Sequence, residues 1–517
     1  MKKRLLFLAL AAMPLMASAQ FWSEDGIVWK EKELWQKAKE TKTPEWFSDA
    51  KFGIYFHWGV YSYMGKGEWY SRQMYEDKTE GWGRDVRPHH LKTYGEDVHY
   101  HHFIPKFTAE HFDAKDWAKL FKESGAKFAG PVAEHCDNFS NWDSKVNKYN
   151  TVNYGPKRDL VGELEKAIKG EGLKFVATFH HSWEWGWYNL WSGLVDTSDP
   201  EFKDMYGEFT EEATFNSFSS KNRHSASGQF YGEVSPRYAP SSKFVKMWKD
   251  KIYEVIDMYE PDLLWFDSRL FLLPEADRAE MVNYYYDKAK RNNQEVVLTY
   301  KNLDLPAGTG VLDLEKGRMN EKTDYPWLTD DSFPWNGWSW RDDLRNKTSN
   351  DIVDEIVDIS SKNGCLLLGI TPTHDGLIPD EQRSGLLKVG EWLKVNGEAI
   401  YNTRPFVVYG EGVAKLKANT FGGVQAHGVK FSDLDFRFNI NGDNLYIIQL
   451  APPTAGEKYT LKTFAAGAAS SRKIESVSLL GSNEKINWNH TTEGLTITAT
   501  SGKAPFSEAV VYKVKLK

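Results

Sequence analysis

The feature that most constrains this chain is a short apolar run that ends in a polar side chain and recurs seven times. Helix-like stretches lie between these runs. Parallel strands that are buried on both faces read as apolar runs, and barrels of such strands carry their active sites at the carboxyl ends. The pattern therefore predicts an α/β fold, a (β/α)8-like TIM barrel. The runs cover residues 52–56, 128–133, 175–179, 261–266, 295–300, 311–314 and 365–370.

Most of the side chains that follow these runs can bind or transfer protons. Because parallel strands of a barrel all end at the same rim, we expect these residues to surround one pocket. A carboxylate at the end of a buried strand indicates catalysis more than packing. The residues in question are His57, Glu134, His135, His180, Asp267, Lys301, Glu315 and Thr371.

The chain is too long for a barrel alone. It has 517 residues, whereas such a barrel takes roughly 250 or more. After Pro405 the helical rhythm gives way to alternation of apolar and polar residues, as in the stretch from Leu434 to Ile440. We predict a signal peptide at 1–19, a catalytic (β/α)8-like domain at 20–400 and a C-terminal antiparallel β-sandwich domain at 401–517.

The first nineteen residues have the pattern of a secretory leader. Three basic residues, 2–4, precede an apolar stretch at 5–16, and small residues follow at 17–19. This predicts cleavage and a periplasmic or secreted protein, with an uncleaved signal-anchor as the alternative. No later apolar segment approaches the ~20 residues of a bilayer span, so no membrane span is expected in the mature chain.

Charge and cysteine content exclude further classes. The net charge of -7 provides no basic field for a polyanion, and nucleic acid is not expected as a partner. Only Cys136 and Cys365 are present, too few for a disulfide framework. Both lie in or beside apolar runs, so we interpret them as free buried thiols, and a thiol nucleophile is disfavoured.

Aromatic residues are concentrated in the predicted rim segments. The chain has 21 Trp and 25 Tyr, and the Trp-rich segment 183–242 has no strand or helix rhythm, which is typical of a rim insertion or lid. Aromatic faces at a rim can stack on the C–H patches of a sugar, although most aromatic side chains simply pack in a core. A rim with two carboxylates, several imidazoles and indoles favours glycoside hydrolysis. The rim tryptophans are Trp69, Trp183, Trp185 and Trp340.

Five ordered segments resemble glycoside hydrolase family 29, the α-L-fucosidases. The similarity extends from about Glu45 to Pro405 and also accounts for a C-terminal β-domain. It implies a retaining exo-glycosidase that acts on fucosylated oligosaccharides or glycoconjugates and needs no metal or organic cofactor. The segments are 51–62, 68–71, 133–139, 261–267 and 361–379.

The resemblance also implies roles for single residues. Asp267 matches the aspartate nucleophile of the family, which forms a covalent fucosyl-enzyme intermediate. His57, Glu68, Trp69 and His135 match residues that bind or stack on the fucose ring. Further ring contacts are expected at two less clearly aligned positions, His180 and Trp185.

The acid/base carboxylate is the harder assignment, because in this family the second catalytic carboxylate lies on a variable rim loop. Glu315 aligns with it when Trp340 is matched downstream as a further contact. Three other carboxylates of the same region compete with it, namely Glu321, Asp324 and Asp331.

Three departures from the family pattern keep the exact sugar open. Cys136 stands where the family commonly has a second histidine, Lys301 stands in for an expected arginine, and His180 replaces a tyrosine-containing pattern. The same fold and mechanism could therefore act on a related sugar, such as an α-L-galactoside or a substituted fucose. A non-catalytic glycan-binding protein built on the same scaffold is the alternative of a different class.

Overall fold

The structure, a computed structural model, describes residues 27–188, 196–208, 239–419, 423–468, 472–500, 502 and 504–517. The predicted signal peptide, 1–19, and most of the tryptophan-rich segment lie outside the described residues.

Eight parallel strands form a closed barrel, as the apolar runs predict. Each strand pairs with the next along the chain, and β8 pairs with β1 to close the ring. The strands are β1 (Phe52–Phe56), β2 (Phe128–Glu134), β3 (Lys174–Phe179), β4 (Leu263–Phe266), β5 (Val297–Lys301), β6 (Val311–Asp313), β7 (Trp327–Ser332) and β8 (Gly364–Ile370).

The seventh strand, β7, is not among the apolar runs predicted from the sequence. Its second half, Thr329 to Ser332, is polar, so no apolar run marks it. Successive side chains of a strand point to opposite faces. Asp330 is accordingly buried inside the barrel, while Asp331 pairs with Lys347, 2.9 Å away.

Helices cover most of the barrel, but the prediction that they separate all the strands is wrong for two connections. No α-helix lies between β5 and β6 or between β6 and β7, where the structure describes every residue. The helices are α1 (Lys32–Ala38), α2 (Glu45–Ala50), α3 (Tyr70–Gln73), α4 (Val86–Thr93), α5 (Ala114–Glu123), α6 (Leu160–Gly170), α7 (Lys203–Tyr206), α8 (Ser242–Tyr259), α9 (Glu275–Arg291), α10 (Ser349–Ser361) and α11 (Asp380–Asn396).

Local sequence explains why the barrel helices begin and end where they do. At α5 the carboxylate of Asp113 accepts hydrogen bonds from the first free backbone N–H groups, and Gly125, with φ of +91°, follows the last turn. Its apolar face presents Trp117, whose ring meets that of Phe56 on β1 at 5.1 Å. This packing holds the strand so that the next residue, His57, emerges at the rim.

The remaining strands are antiparallel, as predicted for the C-terminal region. One sheet has the order β15-β18-β13-β12-β9, a second has the order β14-β17-β16, and β10 pairs with β11. They are β9 (Arg404–Glu411), β10 (Lys417–Ala418), β11 (Val424–Gln425), β12 (Phe436–Asn441), β13 (Asn444–Gln449), β14 (Lys458–Leu461), β15 (Ile474–Leu479), β16 (Asn487–Thr491), β17 (Gly494–Thr498) and β18 (Val510–Leu516).

The larger sheet packs on the barrel through one of its two faces. Tyr446 and Ile448 of β13 belong to the same buried cluster as the outer barrel, whereas Leu445 and Ile447 pack toward the smaller sheet. Period-two alternation along β13 thus gives each face its own core. The division into domains at residues 400 and 401 stays a prediction.

Among the described residues, no helix combines the length and the apolarity that crossing a membrane requires.

Candidate active site

The strand ends converge on a cavity of about 320 Å³ at the C-terminal rim of the barrel. Eight of the ten site residues expected from the sequence line it: His57, Glu68, Trp69, His135, His180, Asp267, Lys301 and Glu315. Six further residues complete the wall, namely Trp82, Cys136, Trp183, Ser268, Asp330 and Trp338.

Asp267 is held in place at the end of β4 by its backbone and by its carboxylate. Its N–H donates to the carbonyl of Phe179 on β3 at 3.0 Å. Its Oδ1 accepts from the backbone N–H of Ser268 at 2.8 Å, and its Oδ2 accepts from Nδ1 of His180 at 3.1 Å. The carboxylate is therefore oriented by donors and still lines open space, as a nucleophile requires.

Lys301, the last residue of β5, is the charge centre of the pocket. Its ammonium lies 2.9 Å from Glu315 Oε2, 3.3 Å from Asp267 Oδ1 and 3.3 Å from Asp330 Oδ2. Although burial alone would lower the pKa of Lys301, these carboxylates raise it well above the usual value. The side chain thus stays protonated and supplies a fixed positive charge between the carboxylates.

The pKa values of the two candidate catalytic carboxylates are shifted in opposite directions. Burial alone would raise the pKa of Asp267, but the charge of Lys301 and the hydrogen bond from His180 bring it well below the usual value. Burial raises the pKa of Glu315, with the negative charges of Asp330 and Asp267 adding to the effect and Lys301 opposing it. Asp267 is therefore the more readily ionised of the two groups and Glu315 the more readily protonated, the division of roles that acid/base and nucleophilic catalysis need.

The competing acid candidates lie elsewhere. Glu321 and Asp324 are exposed and do not line the cavity, and Asp331 points away from it toward Lys347. Glu315 alone of the four faces Asp267 across the pocket.

Three imidazoles form one side of the pocket. The ring of His180 lies 4.8 Å from that of His57 and 4.6 Å from that of His135. Burial lowers the pKa of both His57 and His135 well below the usual value, so these two rings are neutral and each offers a donor and an acceptor. In each of the three residues one buried ring nitrogen has no hydrogen-bond partner among the described residues.

This histidine group is also one of two sets of described side chains that could hold a metal ion. One ligand atom from each ring lies within 4.8 Å of the others. The second set, which includes His111 and Asp375, is partly exposed and lies away from the pocket. Imidazoles that can share a metal ion can equally share the hydroxyls of a sugar, because their ring nitrogens can donate and accept hydrogen bonds.

Glu68 and a group of indoles form the outer wall. Glu68 Oε2 accepts hydrogen bonds from the backbone N–H and the hydroxyl of Ser339, at 3.2 and 3.0 Å. The ring of Trp69 meets Trp183 at 5.6 Å, and the ring of Trp338 lies 5.7 Å from His57. Flat apolar faces thus stand beside hydrogen-bonding groups, which suits a pyranose ring.

Two residues expected at this site are placed elsewhere. Trp185 packs on Phe244 of α8, at 5.3 Å between rings, and lines a separate cavity of about 610 Å³. The 3-10 helix that ends at Glu184 turns Trp183, not Trp185, toward Asp267. Trp340 lines no part of the pocket, and Trp338, two residues earlier on the same loop, takes the expected place.

Two carboxylates near Lys301 are not expected from the sequence: Asp330, which lines the pocket, and Asp313, which does not. The backbone N–H of Asp330 donates to Asp313 Oδ1 at 3.0 Å. The hydroxyl of Tyr55 donates to Asp330 Oδ2 at 3.1 Å. Burial and the nearby charge of Asp330 raise the pKa of Asp313 well above the usual value. The signal for Asp330 in the sequence is the pair of adjacent aspartates in the polar half of β7. This pair indicates a carboxylate inside the barrel only if the segment is a strand.

A buried lysine outside the expected set supports the imidazoles. Lys251 of α8 bonds to Asn138 Oδ1 at 2.8 Å and to Glu184 Oε1 at 3.1 Å, and it also contacts Glu134. Burial alone would raise the pKa of Glu134, but Lys251 lowers it to about 2. The backbone carbonyl of Glu134 accepts from the N–H of His180 at 3.0 Å, so this ion cluster fixes the strand end beside the pocket.

Cys136 and Cys365 are free and buried, as expected. Burial, reinforced by the charge of Asp267, raises the pKa of Cys136 well above the usual value, so this thiol is not ionised at neutral pH. Its Sγ lies 3.7 Å from the backbone carbonyl of His180, to which it donates. It therefore lines the pocket as a small neutral group and not as a nucleophile.

Comparison with known proteins supplies the family. Residues 26–398 match the family model described as Alpha-L-fucosidase. The chain belongs to the alpha-L-fucosidase family. The resemblance that the sequence segments indicate is confirmed, and with it the class of the protein, a glycoside hydrolase.

Relatives cover both the barrel and the C-terminal sheets. The tissue alpha-L-fucosidase of Rattus norvegicus is 29% identical over 386 residues, which are 73% of this chain and 74% of the rat protein. The crystal structure of Thermotoga maritima alpha-fucosidase superposes with a TM-score of 0.70 at 25% identity and covers 93% of this chain and 99% of that one. The same Thermotoga enzyme in complex with a mechanism-based inhibitor gives a TM-score of 0.69, with the same identity and coverage.

Proposed function

We propose that this protein releases terminal α-L-fucose from glycans with retention of configuration, with Asp267 as nucleophile and Glu315 as acid/base. One observation carries the assignment: oxygens of both carboxylates contact the same ammonium, Lys301 Nζ, at 3.3 and 2.9 Å. These two oxygens can be no farther apart than the sum of the two distances. That sum is below the ~6.5–9.5 Å of inverting enzymes and compatible with the ~5–5.5 Å of retaining ones.

The first step transfers the sugar to the enzyme. An Asp267 oxygen attacks the anomeric carbon and forms a C–O bond, while the bond from that carbon to the glycosidic oxygen breaks. Its electron pair stays on the departing oxygen, which takes the proton of the Glu315 carboxyl. The products are a fucosyl ester of Asp267, a free hydroxyl on the leaving group and an ionised Glu315.

The second step restores the enzyme. Glu315, now a carboxylate, removes a proton from water as the water oxygen attacks the anomeric carbon from the side that the leaving group left. The ester bond to Asp267 breaks, and its electron pair returns to the carboxylate. Two inversions at one carbon give net retention.

Lys301 makes this sequence of protonation states favourable. It stabilises the ionised Asp267 before attack and the ionised Glu315 after proton transfer, because it contacts both groups. His180 donates to Asp267 Oδ2 and limits the rotation of this carboxylate, which lines the cavity. Neither residue needs to exchange a proton with the substrate.

The remaining wall residues account for recognition of a single sugar. His57, His135 and Glu68 supply hydrogen-bonding groups in a buried environment, and Trp69 supplies an apolar face. Buried polar groups that lose a partner are costly, so each hydroxyl they bind is a basis for selecting the sugar. The small volume of the cavity favours one terminal residue over an internal one.

Turnover of an aryl α-L-fucoside, followed by proton NMR in the first minutes, tests the proposal. We expect α-L-fucose as the first product, before mutarotation produces the β anomer. First appearance of β-L-fucose would contradict the roles given to Asp267 and Glu315. Absence of turnover, with weak binding of fucose retained, would favour a glycan-binding protein.

A related sugar is a second candidate because Cys136 lines the pocket at the place of a family histidine. Its thiol already faces the carbonyl of His180, so it offers little to a sugar hydroxyl nearby. An aryl glycoside panel with α-L-fucoside, α-L-galactoside and 2-O-substituted fucoside separates the candidates. Higher kcat/KM on the galactoside than on the fucoside would replace fucose as the natural sugar.

We further infer export of the protein from the leader-like pattern at residues 1–19. The measured mass of the protein made in a bacterial host with an intact secretion pathway tests this. Loss of the first 19 or 20 residues and recovery from the periplasm or medium are expected. An intact chain that stays with the membrane fraction would favour a signal-anchor.

A further inference from the structure

A second, smaller cavity adjoins the pocket. It has a volume of about 220 Å³ and shares four wall residues with the pocket of Asp267. Those shared residues, Glu68, Trp69, Trp82 and Trp338, make the two spaces continuous neighbours on one rim.

The second cavity lies on the side where the leaving group must sit. A general acid protonates the glycosidic oxygen, so the rest of the substrate extends from the acid away from the nucleophile. Neither Asp267 nor Glu315 lines the second cavity, but Lys316, the residue directly after Glu315, does. A sugar joined to the departing oxygen would therefore enter this space.

The lining of the second cavity is positively charged. Three cationic side chains face it, Lys66, Lys316 and Arg341, against a single carboxylate among the described lining residues, Glu68. Glu68 Oε2 already accepts the two hydrogen bonds from Ser339.

The three cations are only partly compensated by carboxylates outside the lining. Lys66 lies 3.9 Å from Asp342, and Arg341 lies 2.8 Å from Asp343, with both aspartate side chains 64% exposed. The long, exposed contact of Lys66 with Asp342 is of a weak kind. Arg341 holds Asp343 through two hydrogen bonds of 2.8 and 3.2 Å, so Lys66 and Lys316 are the cations most available to a ligand. Lys316 bonds to the hydroxyl of Ser332 at 2.8 Å and forms no ion pair with a carboxylate in the part of the chain that the structure describes.

An aromatic platform stands beside these charges. Trp82 is 60% exposed although its ring contacts that of Trp69 at 4.8 Å. The ammonium of Lys316 lies over the ring of Trp338 at 4.3 Å. An exposed indole next to these cations suits a sugar ring that stacks on one face and carries a negative group at its edge.

We propose that this cavity is a leaving-group subsite for a sugar that bears an anionic group, either a sulfate ester or a carboxylate, next to the fucosidic bond. The preferred substrate class is therefore an acidic fucosylated glycan. This inference rests on the proposed function, since the direction of the leaving group depends on Glu315 as the acid.

The test compares three substrates that differ only in charge at one position. They are an α-L-fucosyl-N-acetylhexosamine, the same disaccharide with a 6-O-sulfate, and an α-L-fucosyl-hexuronic acid. At low ionic strength we expect kcat/KM to be about ten-fold higher for an anionic disaccharide than for the neutral one, as one charge-assisted hydrogen bond predicts. The sulfate and carboxylate arms identify which anion the subsite prefers.

Two measurements tie the preference to these residues. Raising the salt concentration from ~0.01 to ~0.15 M should reduce the advantage of the anionic substrate, because partly exposed charges are screened. The charge reversal Lys66→Glu should bring kcat/KM for the anionic disaccharide below that for the neutral one. Arg341→Gln should lower the ratio of the anionic to the neutral kcat/KM about five-fold. Lys388→Ala, which removes an exposed lysine of α11 that lines neither cavity, is the matched control and should keep the wild-type ratio.

The outcomes separate this inference from the proposed function. Hydrolysis of an aryl α-L-fucoside with no preference for either anionic disaccharide overturns the subsite and leaves the fucosidase assignment intact. A preference that survives Lys66→Glu and Arg341→Gln, in variants with wild-type melting temperature, also overturns it. No turnover of the aryl fucoside would instead remove the proposed function itself.

Discussion

The half of the barrel that carries Asp267 and the half that carries Glu315 are built in different ways. Each of the strands β1 to β4 is followed by at least one α-helix before the next strand begins, whereas β5, β6 and β7 are joined by segments without an α-helix. Asp267 follows β4, which pairs with β3 and β5 over several residues. The sheet itself thus fixes Asp267, the proposed nucleophile.

Glu315, the proposed acid/base, is held in place by contacts with residues that are distant along the chain. β6 has three residues and pairs with β7 at one position, Asp313 with Leu328. Beyond it, Lys316 donates to the carbonyl of Asp330 at 2.8 Å, and Asn419 of the C-terminal region donates to the carbonyl of Lys316 at 2.5 Å.

The pair of strands β10 and β11 reinforces the same loop. The backbone groups of Arg318 and Val424 exchange two hydrogen bonds of 2.7 Å each. Nearby, the ring of His427 contacts Trp335, three residues before the pocket residue Trp338. The position of Asp267 therefore depends on barrel register, whereas the position of Glu315 depends on a region that follows the barrel in sequence.

The largest expected effect is that of Asp267→Gly, which removes the group fixed by the sheet. Turnover of an aryl α-L-fucoside should fall by at least ~10⁴-fold, because no group remains to form the covalent intermediate. Azide should restore turnover and give β-L-fucosyl azide, since it attacks from the vacated side. The matched control is Asp262→Asn, at the opposite end of β4, where the carboxylate accepts from the N–H of Phe175. Comparable losses in both variants would mean that Asp267 serves only the fold.

Glu315→Ala should show a loss that depends on the leaving group. With an unactivated disaccharide, kcat/KM should fall by about 10²–10⁴-fold, since proton transfer to the departing oxygen is lost. With a nitrophenyl leaving group, which needs no proton, the fall should be far smaller. Glu321→Ala and Asp324→Ala, at exposed positions of the same region, are controls with activity near wild type. A larger loss in either of them would transfer the acid role away from Glu315.

Lys301→Met should change the pH dependence, because Lys301 joins the two halves. Activity needs ionised Asp267, whose pKa Lys301 holds below the usual value. Removing the cation raises that pKa, so the acidic limb of kcat/KM against pH should move to higher pH by ~1–3 units. Lys51→Met is the matched control, a buried lysine just before β1 at the other end of the barrel. An acidic limb that stays in place in Lys301→Met would contradict the charge coupling described for the pocket.

The smallest expected effect concerns the C-terminal support of the acid/base loop. Gly423 has φ of +71°, and an added Cβ would lie 2.3 Å from the carbonyl oxygen of Arg318. Gly423→Ala should therefore displace the loop and lower kcat on an unactivated disaccharide about five-fold, a cost of roughly 1 kcal/mol, with little change in KM. Gly442→Ala has a similar strain, at φ of +58°, but its Cβ meets no atom within 4 Å. Equal kinetics in the two variants would show that β10 and β11 do not position Glu315.

The residue pattern along the chain is enough to predict the strands that are apolar throughout, and with them the position of the proposed nucleophile. All residues of β1, β4 and β8 are buried, because both faces of these strands are shielded from water. Their side chains are therefore apolar, and the polar residue that ends each run marks the rim. His57, Asp267 and Lys301 could be placed at one rim for this reason.

The contacts made by polar segments depend on the tertiary structure and cannot be predicted from the pattern of the sequence. β7 is partly acidic because Asp330 lies inside the barrel near Lys301 and Tyr55, partners that come from other strands. The choice of Trp183 and Trp338 for the pocket wall, instead of Trp185 and Trp340, follows from the path of rim loops that have no periodicity to read. A buried charge or a loop-borne ring is stabilised by residues far away along the chain, and the sequence pattern around it does not name those partners.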